Sequence, residues 1–395
     1  MQLAKMTLLV SSLLMSLSLT AQDIKPEIVA EWATIKYDIQ NSKIKQTWEQ
    51  SNIYDKAIMQ GVKVDQNDNL YISTARWGGA EIPATLSKLK GSGRSAVLVP
   101  FPSEELNDVN NPQGLKAVLG FEIDRNNVMW ILDQGHIAGQ PTKEGDEKLI
   151  LWDLNSNKEI QRYNFTEQDS SRKCSFLNDI VVDNDSNFAY ITDSGIFCKP
   201  LAGGLIIYNQ TKNQARRILS GSKFTNNEPH FFFNINGEPV SKDKPMLTGA
   251  DGIALSGDKK TLYWTNLTGN TLYSIDTKIL RDFSVPETEI RKHIRVVTSL
   301  PSNTDGMTAD REGNLYMTGL TINGLMKRDA KTGEISRFFY DKNMVWPDTL
   351  SIGKNGELYV SSNNLHRKDL NYKNPETSNY KIWKLNINQK SYTSK

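Results

Sequence analysis

The 395-residue chain is short of several things, and each shortage narrows what it can be. It has two cysteines, Cys174 and Cys198, too few for a small-domain fold stapled by disulfides. Neither stands with a histidine in a catalytic motif. Charge of one sign is not in excess, with 47 Lys plus Arg against 45 Asp plus Glu. Neutralising a phosphate backbone needs a basic surplus, so the balance argues against a dedicated nucleic-acid binder. Beyond the first two dozen residues no apolar run reaches the roughly 20 residues of a membrane span. No segment of useful length there keeps a helical period.

What the chain has is repetition. A six-residue pattern occurs as QGVKVD from Gln60, LGFEID from Leu119, NDIVVD from Asn178, DGIALS from Asp251, DGMTAD from Asp305 and DTLSIG from Asp348. A short polar turn and a second apolar run follow each copy: NLYIST, VMWILD, FAYITD, TLYWTN, NLYMTG and ELYVSS. The runs are rich in Val, Ile, Tyr, Trp and Thr, which suits a pleated surface. The turns carry the Asp, Asn and Gly that tight turns require. A third strand can be read after every copy, and a fourth after five of them. Repeats at this spacing mean stacked supersecondary units. Six four-stranded units around an axis make an all-β, six-bladed β-propeller. The sixth blade lacks a fourth strand of its own, and EIVAEWATIKYD near the N-terminus supplies one, closing the ring and removing an open edge. A β-sandwich is the alternative, and six in-phase copies do not fit it.

The segment MQLAKMTLLVSSLLMSLSLTAQD has the layout of a secretory signal: Lys5, an apolar stretch from Met6 to Leu19, then the small Ala21. Residues 1–21 are expected to be removed. Residues 22–395 then form one propeller domain, monomeric, without a membrane span, and secreted or periplasmic. The two cysteines flank the first two strands of the third blade, on connections that share one face. A disulfide there is sterically possible, and two free thiols are the alternative.

Aligned on their apolar residues, the six copies share one position, held by Gln60, Leu119, Asn178, Asp251, Asp305 and Asp348. It opens the innermost strand, so these side chains are expected around the mouth of the central channel. Converging carboxylates raise one another's pKa unless a cation neutralises them. An oxygen-only set suits a hard cation such as Ca²⁺, and a protonated amine is the organic equivalent. Singly, each Asp is also a common turn former. A second ring, Asp133, Asp193, Asn266 and Asn363 with Arg76, closes the second strands and is expected to rim the same face. His136, in DQGHIAG, lies just beyond and is a candidate ligand or acid–base group.

The ordered segments ISTARWGGAEIPATLSKL, SFLNDIVVD, FAYITDSG, GGLIIYN, DGIALS with TLYWTN, and WPDTLSIGKNGELYVSSNNL resemble the Yellow and major royal jelly protein family from about Val29 to Leu385. The resemblance implies a secreted six-bladed propeller. It also implies dopachrome-type conversion or the binding of small amines or lipids. Insect members are richer in cysteine, so this chain looks like a bacterial relative. More distantly, NDIVVD, DGIALS and DGMTAD resemble the senescence-marker and gluconolactonase propellers, where a divalent metal sits near the axis. That likeness implies Asn178, Asp251 and Asp305 as ligands of Ca²⁺ or another divalent cation. Gln60 stands where those proteins carry Glu, and Asp251 where Asn is usual. The leading expectation is a small molecule in the top funnel, met by Asn178, Asp251, Asp305 and Asp348 and reached by Gln60, Asp193 and His136. If the protein is an enzyme, Asp305 and Asp251 supply the base for tautomerase-like chemistry. A Ca²⁺-dependent lactonase and a non-catalytic binder are the alternatives.

Overall fold

The computed structural model describes residues 24–394 except 232, 241, 242, 244, 368, 369 and 371. The proposed signal segment, 1–21, lies outside the described residues. Six antiparallel four-stranded sheets follow one another in chain order. The innermost strands are Val62–Val64, Val118–Ile123, Leu177–Asp183, Ala250–Leu255, Met307–Ala309 and Pro347–Ile352. They coincide with the six sequence copies. The fold is a six-bladed β-propeller.

The ring closes as expected. Glu27–Trp32 is the outer strand of the sixth blade and pairs antiparallel with Tyr380–Asn386, Trp32 opposite Tyr380. Trp32 is buried, and its indole N–H donates to the carbonyl of Ala96 in the first blade at 2.8 Å. One strand therefore ties the last blade to the first.

The turn chemistry repeats with the blades. In five of the six copies the side chain of the residue that ends the pattern accepts backbone N–H groups of its own turn, as Asp65 does from Asn67 at 2.8 Å and Asp124 from Asn126 at 2.8 Å. Each first turn also places one residue in the left-handed region: Asp68, Asn127, Asn187, Lys259, Gly313 and Gly356. Asn, Asp and Gly accept that conformation readily, and Lys259 is the exception.

Successive inner strands nest closely. A Cβ at Gly252 would stand 2.4 Å from the carbonyl oxygen of Asp305, and one at Gly306 2.2 Å from that of Asp348. Only glycine permits this approach. The Asp-Gly dipeptides thus serve blade-to-blade packing as well as the turn.

Below the axis mouth the channel is filled. Lys63 pairs with Glu122 at 3.0 Å, both buried. The C-terminal Tyr392 is buried beside them, its hydroxyl 3.4 Å from Glu122.

Candidate functional site

The inner strands are irregular just where the ring residues stand. Pairing slips between Val118 and Phe121, Leu177 and Ile180, Ala250 and Ile253, and Pro347 and Leu350. Leu119, Asn178, Asp251 and Asp348 lie in these bulges, and a bulge re-aims a side chain. Hydroxyls on the second strands hold the distorted backbone. The amide of Asp179 donates to Thr192 Oγ1 at 3.1 Å, that of Asp305 to Thr318 Oγ1 at 2.9 Å and that of Thr349 to Ser361 Oγ at 3.0 Å. Thr192 Oγ1 in turn donates to the carbonyl of Asp251 in the next blade at 2.7 Å. Sequence reasoning missed this row. Its signal was a Ser or Thr near the end of five of the six second strands.

The re-aimed side chains form the floor of a cavity of about 890 Å³ on the top face. Leu119, Asn178, Asp251, Asp305 and Asp348 line it. Asn178 Nδ2 donates to Asp251 Oδ2 at 2.6 Å. Asp251 and Asp305 stand side by side on this floor, close enough to interact as a pair of carboxyls. Trp346 Nε1 donates to Asp305 Oδ2 at 2.7 Å, and Asn363 Nδ2 to Asp348 Oδ2 at 2.7 Å. Phe233 packs on Trp346 from behind, ring centroids 5.7 Å apart.

Burial, followed by the like charge of Asp348, holds the Asp305 carboxyl well above the usual carboxylate range. Asp251 is raised by burial, which outweighs the lowering effect of Asp305 beside it, with the charges of Asp348 and Asp179 raising it further. Asp348 is pushed up to about 6, again chiefly by burial. Asp179 lies beneath, also pushed up to about 6 by burial and partly relieved by Lys63.

The walls are apolar and aromatic, including Trp77, Phe176, Phe197, Met246, Leu267 and Leu365. Trp77 and Phe176 stand 5.5 Å apart between centroids, Phe176 and Phe197 5.8 Å. Cys174 and Cys198 form a disulfide, with Cα atoms 4.2 Å apart. It joins the loops that carry Phe176 and Phe197, so the bridge fixes one wall. The untreated protein is expected to show no alkylatable thiol by mass spectrometry. Two alkylated cysteines would contradict the bridge.

His136 is part of the wall, and both its nitrogens are engaged. Nε2 lies 2.9 Å from the carbonyl of Ser175, which can only accept, so Nε2 carries the proton. Nδ1 then accepts from the Thr142 hydroxyl at 2.8 Å. Burial lowers its pKa and keeps the ring neutral. Glu147, pushed up to about 7 by burial, sits 4.0 Å behind it.

Two other candidates lie elsewhere. Gln60 is buried outside the cavity lining, its Oε1 accepting the amide of Ala75 at 2.9 Å. Asp193 is fully buried, accepts the amides of Phe176 at 2.7 Å and Gly195 at 2.8 Å, and pairs with Arg217. Asp133 is its counterpart, paired with fully buried Lys148 at 2.9 Å. Arg76 gives its N–H groups to the carbonyls of Ile82, Asn107, Leu115 and Lys116. Asp133, Asp193 and Arg76 thus anchor loops, Asn363 holds the floor residue Asp348, and none of the second ring itself lines the cavity.

The donor set suits a divalent cation poorly. Among the described residues no three His, Cys, Asp or Glu side chains gather as a group able to hold a metal ion. Asn178 turns its amide nitrogen, not its oxygen, to Asp251.

A closed six-bladed propeller with an acidic cluster at the floor of an apolar top cavity is the class that fold and site define. The sequence model of the major royal jelly protein family matches residues 116–394, and the chain belongs to that family. It is 25% identical over 288 residues to major royal jelly protein 8 of Apis mellifera, covering 67% of this chain and 66% of that protein. It is 23% identical over 375 residues to protein yellow of Drosophila madeirensis, covering 89% of this chain and 64% of that one. The chain thus spans a little under two thirds of the length of these relatives. Among solved structures, a gluconolactonase from Xanthomonas campestris superposes with a TM-score of 0.51 at 13% identity, over 93% of this chain and 90% of that one. That likeness supports the fold alone. No helix among the described residues is long and apolar enough to cross a membrane.

Proposed function

We propose that the protein binds a small aromatic amine or catechol in the top cavity, and that the Asp251–Asp305 pair moves a proton on it. One observation carries this reading. Two neighbouring carboxyls, each held well above the usual carboxylate range, stand at the base of an aromatic-walled cavity. Such a pair accepts a proton at one oxygen and returns one from the other, which is what an isomerisation by proton shift needs. The Asp251 carboxylate takes a proton from the substrate, and the Asp305 carboxyl gives its own to a second substrate atom. Asn178 orients Asp251, and Trp346 orients Asp305. A cationic amine meets the same oxygens as a charge partner. The cavity volume is that of a small-molecule site. Membership of the family supports the reading, and the disulfide accords with a secreted or periplasmic protein. We take it to act as a monomer.

Isothermal titration with tyramine and dopamine tests the binding, and absorbance of dopachrome tests the conversion. Both ligands are expected to bind the wild type and to lose affinity in Asp251→Asn. Dopachrome decay is expected to quicken with the wild type alone. The second reading is a lactonase in which Asn178, Asp251 and Asp305 hold Ca²⁺. The oxygen-bearing types of these three residues favour it, while their placement, with Asn178 bonded to Asp251, does not. It predicts that Ca²⁺ raises the thermal midpoint of the wild type, as a native-state ligand must. It also predicts no such rise in Asp305→Ala. That result, with no heat from either amine, would replace the first reading by the second.

A further inference from the structure

The cavity floor is acidic, and its mouth carries two adjacent cations, Arg172 and Lys173. They are not equivalent. Arg172 is engaged by Glu167 at 3.0 Å. Lys173 is exposed and makes no ion pair or hydrogen bond among the described residues, though it lines the cavity. Its backbone is nevertheless held. The next residue, Cys174, is tied to Cys198 by the disulfide, and its amide donates to the carbonyl of Ser171 at 3.0 Å. The Ser171 amide donates to Ser175 Oγ at 2.9 Å. A free ammonium on a braced turn is thus presented to the same cavity whose floor is carboxylic.

The aromatic side chains of Trp77, Phe176 and Phe197 lie along the wall of that cavity. A ligand complementary to the whole surface has three parts. It carries a cationic group for the floor, a planar aromatic body for the wall, and an anionic group at the outer end. From this arrangement we infer that the ligand is a bipolar aromatic molecule, and that Lys173 is the specificity-determining residue that selects its outer carboxylate. The inference rests on the amine reading of the floor given above. Because Lys173 is exposed, its pairing is worth little in absolute affinity, as for other solvent-screened pairs. Its effect is discrimination between ligands that differ only at the outer end.

Three probes isolate that end: phenethylamine, 4-(2-aminoethyl)benzoate and 4-(2-aminoethyl)benzamide. The two substituted probes have the same amine and ring, and differ in the charge of the outer group. Wild type is expected to favour the benzoate over the benzamide by about threefold to fivefold in calorimetric affinity. Raising the salt concentration is expected to shrink that ratio. In Lys173→Gln the ratio is expected to fall to about one, and in Lys173→Glu to invert. Thermal midpoints of both variants check that the turn is intact. If all three probes bind wild type without preference, or the preference survives in Lys173→Gln, the assignment of Lys173 is overturned and the amine reading stands. If none of the three binds wild type, the amine reading itself fails and this inference falls with it.

Discussion

Asp305→Asn is expected to raise stability at pH 8 while lowering affinity for a cationic aromatic ligand, which displaces the Asp305 proton and pairs with the carboxylate left behind, by on the order of 100-fold. The two effects have one origin. Asp305 is half-buried, faces Asp251 and Asp348, and is held well above the usual carboxylate range. In the unfolded chain the same group titrates near about 3.9. The native state therefore binds more protons than the unfolded state between those two values, so stability falls as pH rises. The contribution is fully present below the unfolded value and is lost as pH climbs through the folded one. Asp348 and Asp179, each pushed up to about 6, act in the same direction. They remain in both proteins, so comparison of variant with wild type isolates Asp305. Asn cannot ionise, yet it keeps an oxygen for the Trp346 indole. Thermal unfolding from pH 5 to pH 8 should show a shallower decline for the variant. Parallel profiles together with undiminished ligand affinity would mean that these side chains serve only their own turns.

The largest structural effect is expected at the closure. Removing residues 24–32 deletes the outer strand of the sixth blade and exposes the edge of Tyr380–Asn386. It also removes the Trp32–Ala96 link to the first blade. An unpaired edge is a site for association between chains. The truncated protein is expected to aggregate or to melt far below wild type. Trp32→Ala keeps the strand and removes only its buried anchor, and large-to-small changes of this kind cost about 3–5 kcal/mol. Chemical denaturation should show that loss with little change in the slope against denaturant. Amide exchange should quicken first in Tyr380–Asn386. Wild-type stability in both variants would refute closure by this strand.

Much of the fold was legible because its determinants are local. The alternation of apolar residues marks each strand, and the left-handed turn residues are visible at Asn127, Asn187, Gly313 and Gly356. Lys259 takes the same conformation with no sequence signal. The floor of the cavity was legible too, since Asn178, Asp251, Asp305 and Asp348 are in phase. Phase did not separate Gln60, which bonds the amide of Ala75, from Leu119, which reaches the cavity. It also placed Asp193 at a rim, whereas Arg217 and two backbone amides bury it. An Asp at the end of a strand looks the same in sequence whether it faces a ligand or anchors a loop.

By itself, then, the sequence determined the number of blades, the closing strand and the ring of oxygen-bearing residues. Each follows from counting and aligning copies of a local pattern. Only the tertiary structure decided which carboxyls are raised by burial and by one another, which aromatics form the wall and whether the two cysteines meet. Asp305 and Trp346 are 41 residues apart along the chain, and Asn178 and Asp251 are 73 apart. Burial and charge proximity set a carboxyl's proton affinity, and neither exists until the six blades have closed around the axis.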